Sequence, residues 1–415
     1  MVYRVVSTFD PEKLVDNRYT LVFDNLRKSG VKVDILPDVD PKNLEGILST
    51  YKERISGADM VFHIPAFTHS QLYWAYETDF RAWTQQMSDI GHSWTSDEYD
   101  ELQTERRGRE SDFKQRLNES VGKLKDSGVI IDADVFLQDG GEVYATLDAI
   151  GLPRIKRMTV EEWEANKSFP TVLKMKNTSQ GRGIYLLDNE DQFRKLFDKE
   201  YAEALVQGQF GFCGFSSSKD YFDVSEFIEC PSDHYTHYRV FTLGEGTVLG
   251  AILSYSARRK NDDERIAVDD VNIHDVYDDV KSPLFLNRRK IVSNKGNGGS
   301  QIPLNPNDAS REITNYERAL LEEHGITGQQ LPERLMEQAT TTAKAFGERG
   351  LYVLGQDWIQ GKDGKFYCLE INTGAGFGIF DTLYNYGRGD ENVARTIAAE
   401  KITNGILGHL ERKVA

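Results

Sequence analysis

Short apolar runs alternate with amphipathic stretches from the start of the chain. Strand-like spacing in MVYRVVSTF (1–9) gives way to helical spacing in PEKLVDNRYTLVFDNLRKSG (11–30), which stops at Gly30. VKVDILP (31–37) and ADMVFHIPA (58–66) return to the strand pattern, so the first 66 residues predict an α/β opening. From Thr95 to Gly128 the chain is densely charged, with Leu102, Phe113, Leu117, Val121 and Leu124 at helical spacings; this predicts a solvated helix with one buried stripe. The strand VIIDADVFL (129–137) follows, then a short helix ending at Gly151-Leu152-Pro153.

A different pattern begins at Thr159-Val160-Glu161-Glu162, a capping box that starts a helix by satisfying free backbone N–H groups. FPTVLKMKNTSQGRGIYLLDN (169–189) reads as strand, loop, strand, and DVSEFIEC (223–230) as a further strand. HYRVFTLGEGTVLGAILSYSARR (237–259) is two strands about the turn Gly244-Glu245-Gly246. LMEQATTTAKAFGERG (335–350) is an amphipathic helix with Leu335, Ala339, Ala343 and Phe346 near one face, ended by Gly350. LYVLGQDWIQ and KFYCLEIN pair as antiparallel strands across the turn Gly361–Gly364. Together these predict an α+β protein of three units, 1–145, 146–230 and 231–415, with the polar stretch from Lys260 to Ser300 as a surface loop or a substrate-covering insertion.

Composition narrows the function. A chain of 415 residues with 39% hydrophobic content can bury substantial cores, and a net charge of −16 argues against a protein built to embrace nucleic acid or an anionic membrane. Three widely spaced cysteines, Cys213, Cys230 and Cys368, form neither a disulfide framework nor a zinc knuckle, which fits a reducing, cytoplasmic setting. The N-terminus carries charges where a signal peptide needs an apolar core, and no apolar run approaches the ~20 residues that span a bilayer, so a soluble protein is expected. The opening β-α loops carry no G-x-G-x-x-G, and no G-K-[ST] follows the glycines of 177–183.

Candidate chemistry gathers in five places. Lys174 and Lys176 share a strand face beside a loop whose Ser179, Gln180, Gly181 and Gly183 let backbone amides approach an anion. In 223–230, Glu226 and Glu229 flank Phe227 and Ile228, where backbone groups can read a base edge while a carboxylate accepts ribose hydroxyls. Arg239 and Arg258, on two strands of one hairpin, can converge on a carboxylate or phosphate, and Asn294 lies in the polar glycine loop IVSNKGNGGS (291–300). Asp357, Glu370 and Asn372 offer three hard oxygen donors from paired strands, the set Mg²⁺ takes when water and phosphate fill its other positions. The strand then passes into Thr373-Gly-Ala-Gly-Phe-Gly378, which leaves room for a ligand. His234 and His237 fall on opposite faces of one strand, make a poor metal pair, and read as ordinary half-exposed histidines.

The ordered set VLKMKNTSQGRGIYLL, SEFIE, HYRVFTLG, SNKGNGGS and GQDWI…YCLEIN resembles the ATP-grasp superfamily, nearest to the glutathione synthetase and ribosomal-protein glutamate ligase type, over roughly residues 140 to 405. The resemblance implies an ATP-grasp fold, two α+β subdomains gripping ATP, preceded by an α/β pre-grasp domain. It implies an ATP-dependent carboxylate–amine ligase that works through an acyl phosphate and releases ADP and phosphate. A kinase of the same fold and a non-catalytic ATP-binding protein are the alternatives. By the family pattern Lys174 contacts nucleotide phosphate, Glu226 to Ile228 form the adenine hinge and Glu229 takes the ribose. Asp357, Glu370 and Asn372 carry Mg²⁺, two ions or Mn²⁺ in its place, while Arg239 and Asn294 face the reacting phosphoryl group. Similar ligases place a second phosphate-facing lysine where this chain has Asp139-Gly140-Gly141; Lys176, Lys156 and Lys295 stand open as substitutes. The expected partners are small-molecule or peptide carboxylates and amines, and a second or further copy of the chain.

Overall fold

A computed structural model describes residues 3–8, 18–36, 43–63, 130–133, 141–175, 184–197, 222–259, 300–304, 313–349, 351–372 and 391–414, with scattered positions between 108 and 123 and residue 219. The chain opens with β1 (Arg4–Ser7), α1 (Arg18–Lys28), β2 (Lys32–Ile35), α2 (Leu44–Ile55), β3 (Met60–His63) and β4 (Ile130–Ala133). Their four strands form a parallel sheet in the order β2-β1-β3-β4. Alternation along each strand feeds both faces. Val5, Met60 and Phe62 pack with Val22, Phe23 and Leu26 of α1, while Val6 and Val61 pack with Leu48, Tyr51 and Ile55 of α2. Gly30 closes α1 at φ +84°, in the left-handed region that glycine adopts without steric cost, and Val31 N donates to Leu26 O at 3.0 Å. The helix predicted over 95–128 lies largely outside the described residues.

After α3 (Gly141–Ala149) come β5 (Arg157–Thr159), α4 (Val160–Glu164), β6 (Thr171–Met175), β7 (Ile184–Leu187), α5 (Glu190–Leu196) and β8 (Phe222–Glu226). The capping box is present: Glu162 N donates to Thr159 Oγ1 at 3.2 Å, and Thr159 N donates to the Glu162 carboxylate at 2.8 Å. The strands form an antiparallel sheet, β5-β8-β6-β7. One face, with Leu173, Tyr185, Leu187, Phe222 and Val224, is buried under Trp163 and Phe193. By alternation the other face carries Arg157, Val172, Lys174, Asp223 and Ser225.

The third part runs β9 (His234–Leu243), β10 (Val248–Arg259), β11 (Ser300–Leu304), α6 (Asn315–Glu323), α7 (Glu333–Gly347), β12 (Val353–Gln360), β13 (Phe366–Asn372) and α8 (Glu391–Val414). Its sheet is antiparallel in the order β11-β10-β9-β12-β13. On one face Tyr238, Val240, Leu253 and Trp358 pack against α3, α6 and α7, with Leu335, Ala339, Ala343 and Phe346 of α7 all buried. At one end of the opposite face, Phe241, Leu243, Leu249 and Ile252 meet Ala398, Ile402, Ile406 and Leu410 of α8, which also packs on α1 and joins the first sheet to the third. The rest of that face carries polar residues, with Tyr235 and Ile359 beside them, and looks toward the second sheet. Where α7 ends, backbone meets backbone: a Cβ on Gly347 would lie 2.1 Å from the carbonyl oxygen of Gly244, in the β9-β10 turn.

Candidate active site

The hairpin of β12 and β13 is set by the turn at Gly361–Gly364, where Gly364 takes φ +74° and Gly361 N donates to Lys365 O at 2.9 Å. Its register places Asp357 directly opposite Glu370, and Gly355 opposite Asn372. All four positions share the face turned toward the second sheet. The ladder then shifts, so that Trp358 opposes Cys368 and Leu369 is an extra residue in β13. On β9, Arg239 opposes Asp357 from the other side.

Charges converge on this face. Arg239 grips Asp357 with two parallel bonds, Nε to Oδ1 and Nη2 to Oδ2, each 2.6 Å, and Asn372 Nδ2 donates to Asp357 Oδ2 at 3.2 Å. Lys174 reaches across from the second sheet and stands 3.2 Å from Glu370 Oε2. Burial alone would raise the Asp357 carboxyl, but the charge and hydrogen bonds of Arg239 hold it below the ordinary value. The Asp357 charge in turn raises the Arg239 guanidinium. His237, two residues before Arg239 on the same face, is pushed down to about 4 by burial, against the pull of the Asp357 charge. His237 is therefore a neutral imidazole of the cleft, whereas His234 is buried, with Nδ1 2.8 Å from Ser256 O. The reading of both as half-exposed holds for His237, which is half-buried, but not for His234, which packing against neighbouring strands buries.

The second sheet ends in a hinge. Strand pairing stops at Glu226, opposite Thr171, rather than running on to Cys230 as the apolar character of Phe227 and Ile228 predicts. Beyond it the peptide groups of Phe227 and Ile228 make no hydrogen bond among the described residues. Phe227 packs with Val172, Leu186, Tyr235 and Ile359, an apolar pad between the two sheets. The Glu226 carboxylate accepts a 3.4 Å bond from Lys156 N, and Glu229 forms an ion pair with Lys362 while its carbonyl accepts from Lys362 N at 2.8 Å.

Lys174, Arg239, Asp357, Glu370 and Asn372 are thus brought together, and Glu226, Phe227, Ile228 and Glu229 line the adjoining hinge. Arg258 lies on β10, where Arg259 opposes His234 while Ile252 opposes Arg239, so the ladder holds the backbones of the two arginines well apart. The Arg258 side chain, Lys176, Ser179, Gln180, Gly181, Gly183, Asn294, Lys295, Asp139, Gly140 and the glycine run 373–378 lie outside the described residues. Lys156 is exposed beside the hinge. Sequence reasoning missed Arg157, on the cleft face of β5, whose Nη2 donates to Leu369 O at 3.0 Å. An isolated arginine on an edge strand carries no signal that its partner lies so far along the chain.

Among the described residues no three His, Cys, Asp or Glu side chains cluster as a metal centre; the set here is two carboxylates and an amide. That set suits a hard cation that keeps water and phosphate ligands. Each carboxylate oxygen has two acceptor positions. Asp357 Oδ2 fills both with Arg239 and Asn372, whereas Oδ1 accepts from Arg239 and, among the described residues, keeps one free.

No family model matches the sequence, and no curated protein matches it. Among solved structures, the ATP-grasp ligase PsnB with minimal precursor, Mg and ADP aligns at a TM-score of 0.46 and 12% identity, covering 97% of this chain and 96% of that one. The chain is similar to ATP-grasp ligases. A RiPP-associated ATP-grasp ligase of Chryseobacterium gregarium, with ADP and a leader and core peptide, aligns at 0.45 and 14% identity, covering 97% of each chain. Biotin carboxylase of Campylobacter jejuni aligns at 0.42 and 13% identity, over 98% of this chain and 71% of that one. Among the described residues, no helix is long and apolar enough to cross a membrane.

Proposed function

We propose that the protein is an ATP-dependent carboxylate–amine ligase that releases ADP and phosphate. The observation that carries this reading is the meeting of Lys174 with Glu370 across two sheets, beside Arg239, Asp357 and Asn372 and next to a hinge with open peptide groups. The adenine edge is read by the free peptide groups of Phe227 and Ile228, over the apolar pad of Val172, Leu186 and Ile359. Glu229 accepts the ribose hydroxyls by exchanging them for Lys362. Asp357 through Oδ1, Glu370 and the amide oxygen of Asn372 would hold Mg²⁺, which supplies charge neutralisation along the phosphate chain.

Lys174 and Arg239 stabilise the oxygens of the transferring γ-phosphoryl group. A substrate carboxylate oxygen attacks γ-phosphorus and the bond to ADP breaks, because a free carboxylate is too poor an electrophile for an amine. The amine then attacks the carbonyl carbon of the acyl phosphate, phosphate leaves with its bonding pair, and the extra amine proton passes to solvent. Neutral at pH 7, His237 adds no positive charge of its own beside Arg239.

Amine-dependent ADP release, screened over amino acids and peptides, tests the reading, and mass spectrometry of the product names both substrates. Hydroxylamine should trap the acyl phosphate as a hydroxamate, an outcome that a kinase acting on a hydroxyl does not produce. Asp357→Ala and Glu370→Ala should each abolish turnover, because metal-mediated charge stabilisation is worth several kcal/mol, roughly orders of magnitude in rate. ADP release near the wild-type rate in either variant contradicts the assignment.

A further inference from the structure

Arg157 is anchored at both ends of its reach. Its guanidinium lies over the Tyr144 ring, 5.3 Å from the centroid, and Arg154 meets the same ring at 4.9 Å. Arg154 is itself locked by two 2.8 Å bonds to Asp148 at the end of α3. From this platform Arg157 Nη2 donates to the carbonyl of Leu369, the residue without a cross-strand partner on β12.

The bulge explains why that carbonyl is available. Cys368 O already points to the outer edge of β13, where it accepts from Ile155 N at 3.2 Å, and Cys368 N donates to Pro153 O at 3.0 Å. Carbonyls alternate in direction along a regular strand, so the next one would aim inward at β12. Instead the Leu369 carbonyl is met by Arg157 Nη2, and Glu370 returns to register opposite Asp357. Without a bulge at Leu369, the one-residue slip would send Glu370 to the opposite face of the sheet.

We propose that Arg157 is a positioning residue: by holding the Leu369 carbonyl it fixes the bulge that aims Glu370 at Asp357 as the second cation ligand. The inference rests on the reading of Asp357 and Glu370 as the cation site. Residues that orient metal ligands without touching the metal typically change affinity about 10–100-fold when removed.

The test uses the full chain and measures Mn²⁺ binding by isothermal titration in the presence of a non-hydrolysable ATP analogue, alongside binding of the analogue without metal. Arg157→Met should weaken Mn²⁺ binding about 10-fold or more while metal-free analogue affinity stays within about twofold. Arg157→Lys, which can still donate to Leu369 O, should recover most of the loss; a role limited to general stability would not separate the two affinities or be rescued in this way. Should Arg157→Met fail to fold, Tyr144→Leu, which removes the platform, should show the same selective loss. Wild-type Mn²⁺ affinity in Arg157→Met, with the loss present in Glu370→Ala, overturns this inference alone. Undiminished binding in Glu370→Ala overturns the cation site and the inference with it.

Discussion

Removing one partner of the Arg239–Asp357 pair should destabilise the protein far more than removing both. The Asp357 side chain is 8% exposed and that of Arg239 27%, and two 2.6 Å bonds join them. Breaking a buried pair of this kind typically costs about 3–5 kcal/mol, because a charge is left without a partner out of water. Arg239→Met and Asp357→Asn should each lose stability on that scale in urea unfolding at pH 7, and the double variant should lose well under the sum. The pH dependence gives a second reading. In the wild type the Asp357 carboxyl sits below the ordinary value of 3.8, so its contribution is fully present above that value and is lost as the pH falls through the lower folded value. In Arg239→Met the largest opposition to burial is gone and the weaker pull of Lys174 remains, so the carboxyl rises and the folded state takes up a proton more readily than the unfolded chain. The defect of Arg239→Met should therefore shrink as the pH is lowered from 7 toward 5. Additive single losses, or a defect that does not change with pH, would refute the reasoning.

Two further outcomes follow from packing. His237, pushed down to about 4 from 6.5, stays neutral when folded while the unfolded chain takes up a proton, so stability attributable to it falls as the pH drops from about 6.5 to about 4. An imidazole NMR titration should place His237 in that low range despite the nearby Asp357 and Glu370 charges, and a midpoint near 6.5 would count against its burial beside Arg239. Gly347→Ala should destabilise by about 1–3 kcal/mol in denaturant unfolding, although alanine is the better helix former by about 1 kcal/mol, because its Cβ would meet the Gly244 carbonyl at 2.1 Å. A stabilised variant would show that α7 is free to shift.

Much of the fold was legible where a local signal sets the geometry. Turn glycines at 361–364 fix the β12-β13 hairpin, so spacing alone puts Asp357 and Glu370 on adjacent strands, although a regular register would set Asp357 against Leu369. Helical spacing found the buried face of α7, and Thr159 with Glu162 marked the start of α4. What escaped depends on residues distant along the chain. The extra residue at Leu369 leaves no trace in a hydrophobic pattern, since it appears only when β12 supplies the register. Arg157 and the buried His234 escaped because the atoms that engage or bury them come from elsewhere along the chain. Phe227 and Ile228 carry strong strand character, yet the pairing strand ends before them and releases their peptide groups.

The contact between Lys174 and Glu370 has a consequence for loading. With Arg239 on Asp357 and Lys174 on Glu370, the cleft carries its own counter-ions before anything enters. On the proposed reading, a divalent ion arriving alone would have to evict the lysine, and a triphosphate arriving alone would strip the glutamate of its cation. Delivered as one package, metal and triphosphate would exchange partners with the pair, each displaced group finding a new one, so a cleft of this kind would favour the complexed nucleotide over either component.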